Sequence, residues 1–550
     1  MAQNDRQPPI LIVGAGPTGL LLALWLAQFS VSYRLIERVS SPGHSSRAIA
    51  VHARTLEFYR QLHIADDVIA QGLKIERFVV NHIRMKRGEV RIADNGKGLS
   101  KFPFVLTIPQ HDHEALLERT LNQRGGKVER GVEAVALAQK DCGDKQFVEV
   151  TLREVNSGKE EIFLASYVAG CDGAHSVVRA AAGIKMEGGT YDRRFFVCDV
   201  QGTGSILTAR AKEQDKDTDD RVTDMNICLS NEDFCIVIPL YGHKARARII
   251  GFIPESLQDS ENVNFDDVLP TIKRNVPFEV ENVDWFAPYR AHHRAAAHFR
   301  QGRIFLLGDA AHLHSPVGGQ GMNTGLGDAT NLAWKVAAVW SGSAPPELLE
   351  TYEEERMAFA VKLVNTTDYF FTLVTGEDFR GRLVRNWALP YIMPFVISLL
   401  SLGPMIFKKT SQIEIEYCAS QLSQNGKGTP GSAIAGRRLP WVEHPGEHDQ
   451  GPDNHTSLDA KVWQAHVYGT ISAPVKFKLQ EEKIPLTIYS WSSQAERVGL
   501  ARDVLYLIRP DGYIGLTMTM DTQTQGKFIE QDVLDKYLNK WGFGASKTLA

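Results

Sequence analysis

The chain has 550 residues, too many for one hydrophobic core, so it divides into several domains. It is 43% hydrophobic and 23% charged with a net charge of −4, a globular balance without the basic excess that nucleic-acid binding needs. Its six cysteines (Cys142, Cys171, Cys198, Cys228, Cys235 and Cys418) include no CxxC pair, which argues against a zinc site and against a disulfide scaffold.

The opening "MAQNDRQPP" has no signal-peptide apolar core, so the expected compartment is the reducing cytoplasm. "PILIV" then reads as a buried parallel strand and "LLLALWLAQF" as an apolar helix. Between them Gly14, Gly16 and Gly19 form G-x-G-x-x-G. The first glycine permits a tight turn, the second lets backbone approach a pyrophosphate, and the third lets helix pack on strand. The helix N-terminus offers unpaired N–H groups to phosphate. A second strand, "YRLIE", ends at Glu37, an acid placed to accept a ribose hydroxyl. This unit predicts a dinucleotide site.

"HEALLERTLNQRG" has the spacing of an amphipathic helix, and "FVEVTLREV" and "EEIFLASYVAG" read as strands. From residue 187 to 296 the texture changes. "FFVCDVQG", "MNICLSN", "FCIVIPLYG" and "ARIIGFIP" predict a sheet, interrupted by the highly charged "AKEQDKDTDDRVTD", a solvated loop.

"IFLLGD" then repeats the buried strand ending in an acid, Asp309. A loop with Pro316, Gly318, Gly319 and Gly321 leads through Met322 and Asn323 into a long helix. A second glycine-rich site suits a dinucleotide lying extended across a domain, with pyrophosphate at one end and isoalloxazine at the other: FAD rather than NAD. His312 and His314 lack a companion ligand cluster, so no metal is expected.

Residues 387–407 carry no charge over 21 positions, long enough for a membrane span. Pro390, Pro394 and Pro404 break such a helix, which favours a buried or interface segment over membrane contact. After about residue 425 the chain is loop-rich, followed by strands "LTIYSW" and "VLYLIRPDGYIGLTM" and a final helix "EQDVLDKYLNKWG".

"GAGPTG" followed by "ER", then "YVAGCDGAHSVVR", then "GDAAH" with "GGQGMN" resemble, in that order, the class A flavoprotein aromatic hydroxylases, the family of para-hydroxybenzoate hydroxylase and phenol 2-monooxygenase. The resemblance covers about the first 370 residues. It implies an α/β architecture: a Rossmann-like FAD-binding domain of the glutathione reductase type (1–76, 106–186, 297–370) with an inserted β-sheet substrate domain (77–105, 187–296). A helical segment (371–425) and a C-terminal domain (426–550) follow. "LIRPDGYIG" resembles the thioredoxin-like tail of the phenol hydroxylase group. This tail has no cysteine, so dithiol chemistry is excluded and a structural or dimerisation role is expected.

The resemblance implies further that Thr18, Arg38, Arg47, Gln110, Asp172 and Asp309 belong with the glycines and Glu37 to the FAD site. It implies NADPH or NADH as transient co-substrate, O2 as oxidant, a small phenolic or polyketide-type aromatic as substrate, and a homodimer. Baeyer–Villiger insertion, or an FAD-dependent oxidase or dehydrogenase reaction, stays open as an alternative. Tyr241, Tyr289 and His293 come from segments expected near the flavin ring, where Tyr or His can relay a phenolic proton. A packed aromatic role is the alternative for each. Arg290 and Arg294 would bind an acidic substrate group or face solvent.

Overall fold

A computed structural model describes residues 7–43, 48–142, 145–204, 206, 222–230, 233–241, 246–315, 317–375, 381, 383–392, 402–426, 428–443, 452–520 and 527–542. Arg47, Pro316, most of the charged loop at 211–224 and residues 393–401 lie outside that set.

The first sheet has six strands in the order Arg300–Gln301, Ile304–Leu306, Val168–Gly170, Ile10–Val13, Tyr33–Glu37, Val128–Arg130. Its central strands run parallel, and Ile10–Val13 is buried at every position. Parallel strands covered on both faces need such continuous apolar runs. Helix Pro17–Gln28 leaves the first strand and is buried on all sides from Gly19 to Leu26. It packs on Gln110–Gln123 and on the long helix Gly321–Trp340, where the Trp25 indole N–H donates to Thr330 Oγ1 at 3.1 Å. Val132–Cys142, Lys145–Glu154 and Glu160–Ala165 form a small antiparallel sheet beside this layer.

The large sheet positions the site. Its order is His312–Leu313, Glu279–Ala296, Met186–Thr203, Arg246–Phe252, Phe234–Leu240, Val222–Leu229, Leu73–His82, Val105–Thr107, Ala50–Val51, with Met85–Arg91 beside Leu73–His82. It therefore draws Ala50–Val51 and Val105–Thr107 from segments expected in the FAD layer. Period-two alternation divides its side chains between two faces. Phe196, Cys198, Val200, Cys235, Val237, Ala247 and Ile249 pack with Val268 and Ile272 of helix Phe265–Asn275. That helix starts at a capping box, with Asn264 and Asp267 each bonding the other's backbone N–H. Alternate residues Phe234, Ile236, Ile250 and Tyr289 are half-buried on the other face. The two ends of the sheet meet. Leu313 runs into the glycine loop, and Ala50 lies against Gly319 of the same loop.

The C-terminal part builds a separate five-stranded sheet in the order Gln424–Asn425, Ile514–Thr519, Val504–Ile508, Gln464–Tyr468, Leu486–Tyr489. Helices Ala473–Glu481, Ser493–Arg497 and Lys527–Trp541 accompany it. Asn454 is buried here and bonds Val442, Pro440 and the Tyr468 hydroxyl. Among the described residues no helix is long and apolar enough to cross a membrane.

Burial sets the acid limit of this fold. It holds His52, His113, His314 and His455 down to about 4 and His466 to about 3. Their unfolded value is about 6.5. Below it the unfolded chain binds more protons, so stability falls with pH through that window, by about 1.4 kcal/mol per unit for each group. The thermal midpoint, followed by circular dichroism, is expected to be flat near neutrality and to drop steeply between about pH 6.5 and about pH 4. A flat profile across that window would show these histidines accessible to water.

Candidate FAD site

Gly14 has φ +102, and a Cβ there would drive into the carbonyl of Cys171. A Cβ on Gly19 would strike the carbonyl of Gly14. Gly16 differs: a Cβ there meets no atom within 4 Å, so this glycine faces open space. Gly16 is the N-cap of helix Pro17–Gln28 and the helix start carries no side-chain cap. Its first backbone N–H groups therefore point at the space that a Cβ would begin to fill, the geometry that receives a pyrophosphate.

Glu37 closes the turn. Its Oε2 accepts the Ala15 N–H at 2.8 Å and its Oε1 the Val39 N–H at 3.0 Å. The carboxylate thus shapes the glycine turn while its remaining lone pairs stay available to a ribose. Arg38 follows it at the exposed end of the strand. Thr18 stands between two further glycines, since a Cβ on Gly308 or Gly325 would press on its Oγ1. The first turn, the Gly308–Ala310 turn and the long helix are thereby interlocked. Asp309 sits exposed at the apex of that second turn.

Behind Asp309 stands a residue that sequence reading missed. Asp328 is fully buried; its Oδ2 accepts the Gly308 N–H at 3.0 Å and meets His312 Nε2 at 2.8 Å. Its Oδ1 accepts Arg356 Nε at 2.7 Å. Burial pushes this carboxyl up, but Arg356 and His312 beside it bring it below the ordinary carboxylate range. His312 is therefore a strut for the turn. Among the described residues no group of three or more potential metal ligands occurs.

The glycine loop follows. Gly318 and Gly319 have φ of +78 and +61, and both are exposed. Two consecutive left-handed residues turn the backbone toward solvent before helix Gly321–Trp340, which also starts without a side-chain cap. The amide of Asn323 is spent inside the protein. It donates to Ala50 O and Gly319 O and accepts from His52 N and Thr55 Oγ1, at 2.8 to 3.0 Å. Asn323 thus staples the loop to the sheet edge, with its side chain turned away from any ligand. Met322 is partly buried against the main core. His52, also missed from sequence, supports the loop through Nε2 at 2.9 Å from Gly318 O.

Gln110 opens helix Gln110–Gln123 beside Ala48. Its N–H donates to Ala48 O at 3.3 Å and its amide bonds Glu114 at 2.8 Å. Burial raises the Glu114 carboxyl, with Gln110 opposing. Asp172 is occupied as a helix-start ligand, accepting Ser176 Oγ at 2.5 Å and Val178 N at 3.1 Å. Burial raises it above its ordinary value despite those bonds.

The three expected proton-relay residues do not share one site. Tyr289 stacks on Phe195 with ring centroids 5.6 Å apart. His293 packs edge-on against Tyr191 at 4.6 Å, with Nδ1 3.7 Å from Asp368 and Nε2 over Gly189. Tyr241 follows Leu240, which pairs with Arg246, whereas Tyr289 shares a row with Phe252. Six residues of strand separate those rows, roughly 20 Å. Tyr241 is exposed there. Near His293 a different group assembles. The Tyr191 hydroxyl faces Asp368 and Ser315, at the mouth of the glycine loop, and burial followed by Asp368 raises its pKa. On the sheet's inner face Arg248 holds Asp199 with two bonds of 2.7 and 2.8 Å and reaches Ala48 O at 3.2 Å. Arg294 is bound to Gly189 O and Thr190 Oγ1, and Arg290 is exposed.

Two glycine turns, each leading into an uncapped helix start, fit a flavoprotein that holds FAD. The chain belongs to the FAD binding domain family, which matches residues 7–367. It is an FAD-dependent monooxygenase. It is 33% identical over 457 residues to a 6-methylpretetramide 4-monooxygenase of Streptomyces rimosus, covering 80% of this chain and 76% of that one. It is 30% identical over 371 residues to a pentachlorophenol 4-monooxygenase of Sphingobium chlorophenolicum, covering 67% and 65%. The fold matches the flavin-dependent monooxygenase PieE, solved with FAD and substrate, at a TM-score of 0.76 and 20% identity over 98% of this chain and all of that one.

The glycine geometry separates folding from binding. Gly16→Val is expected to yield a folded chain that takes up no flavin, because its Cβ is clear of protein atoms and its side chain grows into the space for the pyrophosphate. Gly19→Ala is expected to yield insoluble or unfolded protein. Flavin absorbance of the purified variants beside their circular dichroism checks both; a yellow Gly16→Val would remove the phosphate from this turn.

Proposed function

We propose that this enzyme hydroxylates a phenolic, multi-ring aromatic of polyketide type, using FAD, NADPH or NADH, and O2. The observation that carries this reading is the inner face of the large sheet. Phe78, Met225, Ile227, Phe234, Ile236, Ile250 and Tyr289 present a broad, half-buried apolar wall there. Phe78, Met225, Ile236 and Ile250 border the main core, and what stays half-exposed of this face offers apolar contact to a further partner. A flat ring system suits that contact and lies between this wall and the loop Val317–Gly319. The relatives' names, for 6-methylpretetramide and pentachlorophenol, support an aromatic substrate. The tail's strand order and flanking helices support a thioredoxin-like domain without its dithiol.

Bound FAD supplies hydride acceptance from the nicotinamide and oxygen transfer to the ring. The chain supplies the rest. The wall excludes water from the reacting face. Backbone of the Gly318–Gly319 bend would hold the cofactor on the substrate side. The proton of a phenolic hydroxyl passes to the Asp368 carboxylate, with the Tyr191 hydroxyl as its bridge and Ser315 as the neighbouring donor. Loss of that proton raises the electron density of the ring carbon that is attacked. His293 orients this group from behind, and Tyr289 belongs to the wall.

The direct test is NADPH consumption by the flavin-loaded enzyme across phenols, salicylates and polycyclic phenols, with peroxide assayed alongside and product mass read after turnover in isotopically labelled oxygen. Stimulated consumption with label in the product and little peroxide is expected for a polycyclic phenol. Unlabelled oxidised product would make the enzyme an oxidase or dehydrogenase. Asp368→Asn is expected to lower the hydroxylation rate about a hundred-fold, while flavin reduction by NADPH changes little. An unchanged hydroxylation rate would take the proton away from Asp368.

A further inference from the structure

Arg509 is fully buried at the turn between strands Val504–Ile508 and Ile514–Thr519 of the tail. Its two terminal nitrogens donate to both oxygens of Glu355, at 2.7 and 2.9 Å. It also donates twice to Asp511, at 3.0 and 2.6 Å. Asp511 receives the indole N–H of Trp334 at 3.1 Å. Glu355 in turn accepts Lys335 at 2.8 Å, Asn331 at 2.7 Å and Ser420 at 2.7 Å. Trp334 and Lys335 belong to the helix that follows the glycine loop, and Glu355 belongs to helix Glu350–Thr375.

The next residue along that helix is Arg356. Its guanidinium bonds Asp328 at 2.7 Å, Thr324 O at 3.0 Å and the Tyr417 hydroxyl at 2.7 Å. Tyr417 packs on Tyr513 of the tail with ring centroids 4.5 Å apart. Adjacent residues of one helix thus face opposite ways in function. Glu355 is gripped by the tail, and Arg356 grips the carboxylate that fixes Gly308 and His312 on either side of Asp309. A bidentate guanidinium–carboxylate pair without water admits one relative orientation of its partners. The apolar contacts around it do not impose that constraint.

We infer that the Arg509–Asp511 corner of the C-terminal domain is a positioning element for FAD: it sets the angle of helix Glu350–Thr375, and through Arg356 and Asp328 it holds the Gly308–Ala310 turn in its ligand-ready form. The inference rests on that turn contacting FAD. The tail thereby has a task that needs no cysteine. Arg509 and Tyr417 act through Arg356 and touch no ligand themselves.

The test compares FAD binding with folding. Apoprotein is prepared for wild type, Tyr417→Phe, Arg509→Lys and Arg60→Gln. Each is titrated with FAD by flavin fluorescence, its thermal midpoint is read without flavin, and the visible circular dichroism of bound flavin is recorded. Tyr417→Phe keeps the ring and removes one bond to Arg356. It is expected to weaken FAD binding about ten-fold and to alter the flavin dichroism, with the apoprotein midpoint little changed. Arg509→Lys, which loses the fork geometry, is expected to weaken binding further. Arg60→Gln cuts a contact with Asp453 of the tail away from the turn. It is expected to lower the midpoint and leave FAD affinity as in wild type. Wild-type affinity and dichroism in Tyr417→Phe would overturn the inference, also where Arg509→Lys fails to fold. Failure of the wild-type chain to bind FAD would overturn the site assignment itself.

Discussion

A carboxylate with no access to water, Asp328, is held by donors of three kinds: the backbone of Gly308, the imidazole of His312 and the guanidinium of Arg356. Without Arg356 the same burial would favour its neutral form, which accepts fewer bonds and would release one side of the turn. The turn could not then be fixed by its own backbone, because Gly308 sits at φ +58 and three residues of 3-10 geometry are a weak structure by themselves. Asp309 can be exposed and still well placed because its neighbour is anchored to a charge that cannot move. The same carboxylate borders Gly325 and Thr18 through the helix it stands on, so the two glycine turns share one support.

The large sheet adds a second constraint. Its two edges end at one loop, with Leu313 leading into it and Ala50 behind it. A sheet that curls this far brings its apolar inner face and the glycine loop into one continuous layer. Movement of either edge changes the loop between them. Asn323 and His52 oppose such movement with bonds to Ala50, Thr55 and the carbonyls of Gly318 and Gly319. The loop keeps its own N–H groups outward because those side chains have taken up its carbonyls.

Much of the cofactor site was legible because its determinants are local. Gly14, Gly16, Gly19, Glu37, Asp309 and the Gly318–Gly321 loop owe their roles to a strand, a turn and a helix start, all within a few residues. Tyr191, Asp368 and Ser315 come together from three elements far apart in the chain, and no spacing rule announces that. The distance of Tyr241 from Tyr289 is likewise set at long range, by the antiparallel register of Leu240 with Arg246. The four internal bonds of the Asn323 side chain also depend on residues far away in the chain. One signal was readable and passed over. Thr324, Asp328, Asn331 and Lys335 fall at helical spacing on a helix that is otherwise apolar, and all four are buried. A buried polar stripe must meet complementary charge, and here it meets Glu355 and Arg356.

That stripe also explains the tail. Buried ion pairs seldom stabilise a fold more than apolar residues of equal volume, because desolvation consumes most of their Coulomb energy. Yet the tail contacts the first domain through Arg509 with Glu355 and through Arg438 with Glu57, the latter pair at 2.7 and 2.8 Å and also buried. Stability alone is a poor account of two such pairs at one interface. Directionality is a better one. An apolar contact tolerates a slide or a few degrees of rotation, and the forked guanidinium does not. Glu355 lies beside Arg356, so that pair fixes the helix that supports the Gly308–Ala310 turn, at the point where a small rotation would displace backbone N–H groups from their ligand.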